Sequence, residues 1–149
     1  MPAPAAIQAA TLDKFIEAWK QWSPGTFFTS WTDNCTMRTL PFSAGVPLRA
    51  RPETEKFLPV LMGLMSNFEL TVHNVVHDAA QGKAAIYALS KADTPVGPYS
   101  NEHALFVWFD ESGEKVTKIE EMFDSIVIKD FFPKVQAYIA QQKSQGPAA

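Results

Sequence analysis

The chain has 149 residues, 46% of them hydrophobic and 19% charged, with a formal net charge of −3. That length and apolar content suit a single domain (1–149, with an ordered core over about 10–143) and exclude a disordered body. The absence of a dense Lys/Arg stripe excludes the electrostatic footprint of a nucleic-acid or anionic-membrane binder, and a lone Cys35 excludes an intrachain disulfide or a cysteine metal cluster.

Residues 1–10 are small and apolar but lack a basic leader and a long hydrophobic run, so they do not read as a signal peptide. No stretch approaches the roughly 20 apolar residues of a membrane span. With the single cysteine, this points to a soluble protein of the reducing cytoplasm. Thr11 is placed to cap a helix in which Leu12, Phe15, Ile16 and Trp19 recur at helical spacing, with Lys14, Glu17 and Lys20 opposite. The helix ends before Pro24-Gly25. A short helical stretch follows over 26–31, then a strand over 35–40 that Pro41 terminates, then a loop over 47–52 carrying Arg49 and Arg51. Residues 53–65 place Phe57, Leu58, Leu61, Met62, Leu64 and Met65 on a largely buried helix that Pro59 kinks or interrupts.

Residues 68–77 alternate as a strand, Gln81-Gly82 turns the chain, and 84–92 returns as its partner. If His77 pairs with Ala84, then Thr71, His73 and Val75 share a face with Ile86, Ala88 and Ser90, while Val72, Asn74, Tyr87 and Leu89 share the other; either face can be the inner one. The segment 99–125 forms a second hairpin around Asp110-Glu111-Ser112-Gly113-Glu114. Pairing Asp110 with Lys115 puts Trp108 opposite Thr117, Phe106 opposite Ile119, Ala104 opposite Glu121 and Glu102 opposite Phe123. Glu102 and Glu121 then become diagonal neighbours on one face, whereas a slip of one residue puts them on opposite faces. In the same register His103 points away from the pocket. The last helix, with Ile126, Val127, Phe131, Val135, Tyr138 and Ile139 apolar, breaks or restarts at 130–133. Residues 144–149 are expected to fray.

Helices first and consecutive antiparallel strands later give an α+β domain, a cone-shaped curved antiparallel sheet with N-terminal helices closing a hydrophobic pocket. In that pocket two carboxyl groups repel, so one keeps its proton while the other acts as a base. The candidate catalytic residues are Glu121 as principal acid or base, Glu102 as partner, His73 as an optional shuttle, and Asp124 with a minor share. Against this stand structural roles: Glu102 capping a turn or paired with Arg49 or Arg51, Glu121 bonded to buried backbone, and Asp124 capping the terminal helix. Trp31, Tyr99, Asn101, Phe106, Trp108 and Phe123 are candidate substrate contacts. The three histidines lack zinc spacing and no phosphate loop occurs, so the expectation is a site without metal or cofactor.

The element order and the stretches Val-His-Asn-Val-Val-His-Asp at 72–78, Gly-Pro-Tyr-Ser-Asn-Glu at 97–102 and Ile-Glu-Glu-Met-Phe-Asp-Ser at 119–125 resemble the SnoaL-like branch of the nuclear transport factor 2-like superfamily, small fungal members above all. The resemblance covers Thr11 to Lys134. Relatives of this shape include polyketide cyclases, ketosteroid isomerases, scytalone dehydratase and limonene epoxide hydrolase, besides non-enzymatic carriers, so fold alone does not fix chemistry. By resemblance, Glu121 is similar to the inward carboxylate of the epoxide hydrolases and Asp124 to the acid of the closing motif. The inward Arg and second Asp of those hydrolases have no counterpart over 84–92. Together these readings imply an acid/base isomerase, cyclase or dehydratase acting on a hydrophobic polyketide- or terpenoid-like metabolite; the rival is a non-catalytic ligand-binding or dimerisation module. The face carrying Leu105, Val107, Phe109, Val116 and Met122, interrupted by His103, Lys118 and Glu120, is expected to be left outside and covered in a homodimer.

Overall fold

In the computed structural model, which describes residues 3–146, helix α1 (Ala5–Gln21) lays its apolar side on a curved sheet. The helix begins at Ala5, so Thr11 does not cap it. Thr11 sits on the buried side, and its hydroxyl donates to the carbonyls of Ile7 and Gly113. Leu12, Phe15 and Trp19 are buried as their spacing predicts, and each such side chain contributes about 1.5–3 kcal/mol. Next come α2 (Pro24–Phe27), β1 (Trp31–Leu40), β2 (Arg49–Ala50) and α3 (Arg51–Leu64). Pro52 occupies the first turn of α3, where its missing N–H costs nothing, and Pro59 lies inside without ending the helix. The strands β3 (Ser66–Asp78), β4 (Lys83–Thr94), β5 (Gly97–Phe109) and β6 (Val116–Phe123) follow, then a π-helical turn over Val127–Phe131 and α4 (Phe132–Ser144). The predicted restart at 130–133 is this junction. Of the residues expected to fray, 147–149 lie outside the described residues.

The sheet order is β2-β1-β6-β5-β4-β3. All neighbours are antiparallel except β1 and β6, which run parallel. Alternation along the central strands defines an inner face of Ala84, Ile86, Ala88, Ser90 and Ala92 on β4 and of Tyr99, Asn101, His103, Leu105, Val107 and Phe109 on β5, all buried.

Two one-residue bulges decide which side chains join that face. Near the turn, pairing is as expected, since the Asp110 N–H donates to the Lys115 carbonyl (2.9 Å) and Phe109 lies opposite Val116. The next pair is Trp108 with Lys118, so Thr117 is an extra residue on β6. From there the register is shifted: Val107 faces Ile119, Leu105 faces Glu121 and His103 faces Phe123. On β3, His77 does face Ala84, but Val72 faces Ala88 and Asn74 faces Tyr87, leaving His73 as the bulged residue.

These bulges correct several sequence expectations. Glu121 points inward and Glu102 outward. His103 points inward. Phe106 and Trp108 lie on the outer face, Phe106 44% exposed and Trp108 beneath the Lys118 ammonium, so neither lines the interior. Leu105, Val107, Phe109 and Val116 are core rather than outer surface.

Candidate functional site

Gln8, Thr11, Ser30, Thr39 and Thr54 are buried polar residues, but the largest group of buried polar side chains is a cluster built from β4, β5 and β6. Ser90 interrupts the run of small residues on the inner face of β4, and Tyr99, Asn101 and His103 alternate inward along β5. Glu121 enters from β6. All five are buried, His103 at 4% exposure and Glu121 at 6%. His103 Nε2 lies 2.7 Å from Ser90 Oγ. Ser90 donates to the Tyr99 hydroxyl (3.3 Å), and Asn101 Nδ2 donates to it as well (3.1 Å). The other end of the Asn101 amide is fixed, because Oδ1 accepts the Asp124 backbone N–H (3.2 Å). His103 Nδ1 has no hydrogen-bond partner among the described residues and faces Glu121 Oε2 at 3.7 Å.

Proton bookkeeping follows from these directions. With its hydroxyl proton committed to Tyr99, Ser90 accepts from His103, so Nε2 carries a proton. Nδ1 is left facing the Glu121 carboxyl group, with no other polar partner among the described residues. Burial pushes the Tyr99 phenol up to about 12, with the nearby Glu121 charge adding to the rise and the hydrogen bonds from Ser90 and Asn101 opposing it. Tyr99 is therefore protonated throughout the physiological range and available as a donor.

Aromatic rings seal this cluster. Trp19 meets His103 edge-on at 5.2 Å and Phe123 meets it at 5.4 Å. Phe131, from the π-helical turn, packs on Tyr99 at 5.4 Å, and Phe132 packs on Phe123. Beside this cover is a cavity of only about 10 Å³ between α3, the β4–β5 turn and α4, bordered by Leu61, Met65, Val96, Val135 and Tyr138. A groove of about 860 Å³ lies elsewhere, along Ala10, Lys14 and Ala18 of α1 and Lys115 of the turn. Neither opening is lined by a residue of the Glu121 cluster.

The remaining candidates fall away from the cluster. His73 is exposed and lies 6.2 Å from the Tyr87 ring on the outer face. Glu102 is exposed near Tyr87, where its hydrogen bond and charge raise the tyrosine above its ordinary value. Arg51, considered as a partner for Glu102, instead pairs with Asp33 and Glu55. Asp124 does cap the following turn, its Oδ1 accepting the Ile126 N–H at 2.9 Å. Trp31 is core, packed on Phe27 and Phe28, with its indole N–H unpartnered among the described residues. Cys35 is buried with its thiol pushed up to about 12 by burial, and is inert. The described residues hold no group of three or more His, Cys, Asp or Glu suited to a metal ion, and no helix among them is long and apolar enough to cross a membrane. Sequence reasoning missed His103 and did not single out Ser90. For Ser90 the signal was present: one hydroxyl in an Ala-rich alternation has to find a polar partner inside.

Over 145 residues the chain is 63% identical to Monooxygenase nsrQ of Aspergillus novofumigatus, a match spanning 97% of this chain and 96% of that protein. The chain belongs to this family of fungal proteins. A second member, Monooxygenase AacuP of Aspergillus aculeatus, is 61% identical over 143 residues, 96% of this chain and 99% of its own. No protein-family model matches the chain. Among solved structures, the BvnE pinacolase of Penicillium brevicompactum superposes with a TM-score of 0.82 at 21% identity, covering 89% of this chain and 93% of that one. A Shewanella denitrificans protein described as a SnoaL-like polyketide cyclase gives 0.68 at 9% identity, covering 86% and 98%. This nsrQ-type family therefore has the SnoaL-like, nuclear transport factor 2-like fold.

The tyrosine at the centre of the cluster makes alkaline stability informative. A phenol with a raised folded value contributes stability that is whole below its unfolded value of 10 and is lost as pH climbs toward 12. The stability difference between the native chain and Tyr99→Phe should accordingly shrink by about 2 kcal/mol between pH 9 and pH 12. Urea titrations across that range read it directly. A constant difference would mean that the phenol ionises as freely in the folded protein as in the unfolded one.

Proposed function

We propose that this protein is an acid/base enzyme of secondary metabolism that moves a proton on a hydrophobic, oxygen-bearing small molecule, in an isomerisation, cyclisation or dehydration. The observation that carries the reading is the Glu121–His103 pair: a buried carboxyl group whose close polar neighbour is an imidazole nitrogen with no other partner, inside an aromatic shell. A purely structural glutamate at such a site is saturated with protein hydrogen bonds, because leaving a buried charged group unsatisfied costs at least about 1–3 kcal/mol. Here Glu121 is held ready instead, and Glu121 with His103 replaces the two-carboxylate pair that the sequence suggested. A cluster covered by aromatic rings is also what a filled, non-catalytic module has. In an enzyme it requires the cover of Phe123, Phe131 and Phe132 to part, and π-helical turns such as Val127–Phe131 occur frequently at functional sites. Enzyme relatives of the same fold, BvnE pinacolase among them, support the catalytic reading.

The name monooxygenase carried by nsrQ and AacuP favours a second reading that begins with the same step. A base that removes a proton from an electron-rich CH2 group makes a carbanion. In isomerisation that carbanion regains a proton elsewhere; in oxygenation its electrons reduce dioxygen, one oxygen atom ending in a carbonyl group and the other in water. Turnover of substrate from the host's own biosynthetic extract, in the presence of labelled dioxygen, separates the two. A product of unchanged mass, or one water lighter, supports the first reading, and label in the product supports the second. Full turnover by Glu121→Gln would remove both.

We also infer that a second copy of the chain covers the outer sheet face. Its composition differs from the expected one: Phe106, Met122 and Tyr87 are each more than 40% exposed there, beside Trp108, Glu102 and Glu120. Apolar side chains of this size gathered on one open sheet suit an isologous interface. Phe106→Glu should convert a dimer to a monomer in light scattering while leaving the far-ultraviolet circular dichroism unchanged. A native chain that is monomeric at micromolar concentration would refute the interface.

A further inference from the structure

Hydrogen-bond direction within the cluster singles out Tyr99. An asparagine side chain can ordinarily present either end, but here the Asp124 backbone N–H at 3.2 Å from Oδ1 holds the amide in one orientation. A main-chain N–H can only donate, so Oδ1 must accept and Nδ2 must face Tyr99 at 3.1 Å. Ser90 donates to the same phenolic oxygen. Both hydrogen bonds made by the Tyr99 hydroxyl are ones in which it accepts, so its own proton is not committed to either partner. Two donors on the oxygen also polarise its O–H bond and make it a better donor. Glu121 is close enough for its charge to act on Tyr99.

We propose that Tyr99 donates to a substrate oxygen on which negative charge develops, and that Asn101, clamped by the Asp124 amide, is the positioning residue that aims it. This rests on the acid/base reading above and gives it a substrate class: a carbonyl compound with an acidic hydrogen on the adjacent carbon. Glu121 takes that hydrogen as a proton, the C–H electron pair becomes the C=C bond of an enolate, and the carbonyl π pair moves onto oxygen, where the Tyr99 O–H meets it. Returning the proton from Glu121 to a different carbon restores the enzyme. Preorganised donors of this kind cost no reorganisation at the moment of reaction, and removing one typically slows turnover by about 10²–10³.

The test uses 4-nitrophenol as a stand-in for the enolate, because its oxygen carries the negative charge and its ionised form absorbs visibly. Titrated into the full-length protein, it should bind with its phenolate form favoured, and Tyr99→Phe should lower the bound phenolate-to-phenol ratio about tenfold. Asn101→Leu, which keeps the volume and loses the amide, should lower the ratio by a smaller factor, although it leaves Tyr99 in place. A role confined to packing would weaken both forms equally and leave the ratio unchanged. Glu121→Gln should retain the dependence on Tyr99, so the phenolate contact and the base assigned to Glu121 fail independently. Absence of bound phenolate in the native protein, or an unchanged ratio in Tyr99→Phe with its melting transition intact, overturns the proposal.

Discussion

Inserting one alanine after Thr117 is expected to destabilise the protein by about 4 kcal/mol or more, a range reached by few single changes. The bulge at Thr117 is what turns Ile119 and Glu121 toward the interior while leaving the Asp110–Lys115 turn in its own register. With one residue more than the bulge holds, the alanine takes the place of Lys118 opposite Trp108 and every side chain beyond it changes face. Ile119, 1% exposed, would go to solvent, and Lys118 and Glu120 would enter the core. Losing one buried isoleucine costs about 1.5–3 kcal/mol, and a buried unpaired charge costs several more. The control is deletion of Thr117, which closes the bulge, keeps Lys118 opposite Trp108, Ile119 opposite Val107 and Glu121 opposite Leu105, and removes the hydroxyl contact with Thr32, a change of about 1 kcal/mol. Urea denaturation of the two variants separates a change of face from a change of chain length. Native stability in the insertion variant would mean that β6 does not depend on this register.

The same bulge marks the limit of what the sequence could say. The face of α1 was readable because Leu12, Phe15 and Trp19 keep helical spacing, and β3, β4 and the last hairpin were readable because turn residues bracket alternating runs. The side from which each strand faces the core was not readable by counting. Both faces of β5 are apolar, Leu105, Val107 and Phe109 on one and Ala104, Phe106 and Trp108 on the other, so alternation alone does not choose between them. A sharper signal lay across the hairpin. Continuing the Asp110–Lys115 register without a bulge groups Lys118 and Glu120 with Leu105 and Val107, mixing charges into an aliphatic face. One extra residue sorts them, placing Lys118 beside Trp108 and Ile119 beside Val107. On β3 the bulge at His73 acts likewise, sending His73 outward while His77 keeps its pairing with Ala84. Parity is lost wherever one residue is inserted, and a bulge is a local energetic compromise that leaves little mark on composition.

The corrected faces bear directly on chemistry. The outer face carries Glu102 and His73, both exposed and both near Tyr87, while the inner face brings together Glu121, His103, Ser90, Tyr99 and Asn101. Neither side chain of the outer group reaches the buried cluster. In the proposed reaction a proton accepted by Glu121 stays beside His103, inside the cluster, for return to the substrate. Aromatic rings exclude the competing water, and low local dielectric strengthens each polar contact.

The sharpest consequence is a contrast between two glutamates that are 19 positions apart in the chain and on opposite sides of one sheet. Glu121→Gln preserves shape and hydrogen-bonding capacity but cannot accept a proton, and a positioned general base contributes about 10²–10⁴ to rate. Turnover should fall by that factor with KM little changed, because the amide fills the same space and the loss is confined to the transition state. The fold should survive, since Glu121 makes no hydrogen bond to the described residues and its removal leaves no backbone group orphaned. Glu102→Gln should leave turnover within about twofold of native, since the side chain lies beside Tyr87 on the opposite side of the sheet from the Glu121 cluster. The pair is measured in one assay on one substrate, so errors in protein concentration and product calibration cancel. If Glu102→Gln is the inactive variant and Glu121→Gln the active one, the inner and outer faces have been assigned the wrong way round. If both are active, proton transfer is performed by neither carboxyl group.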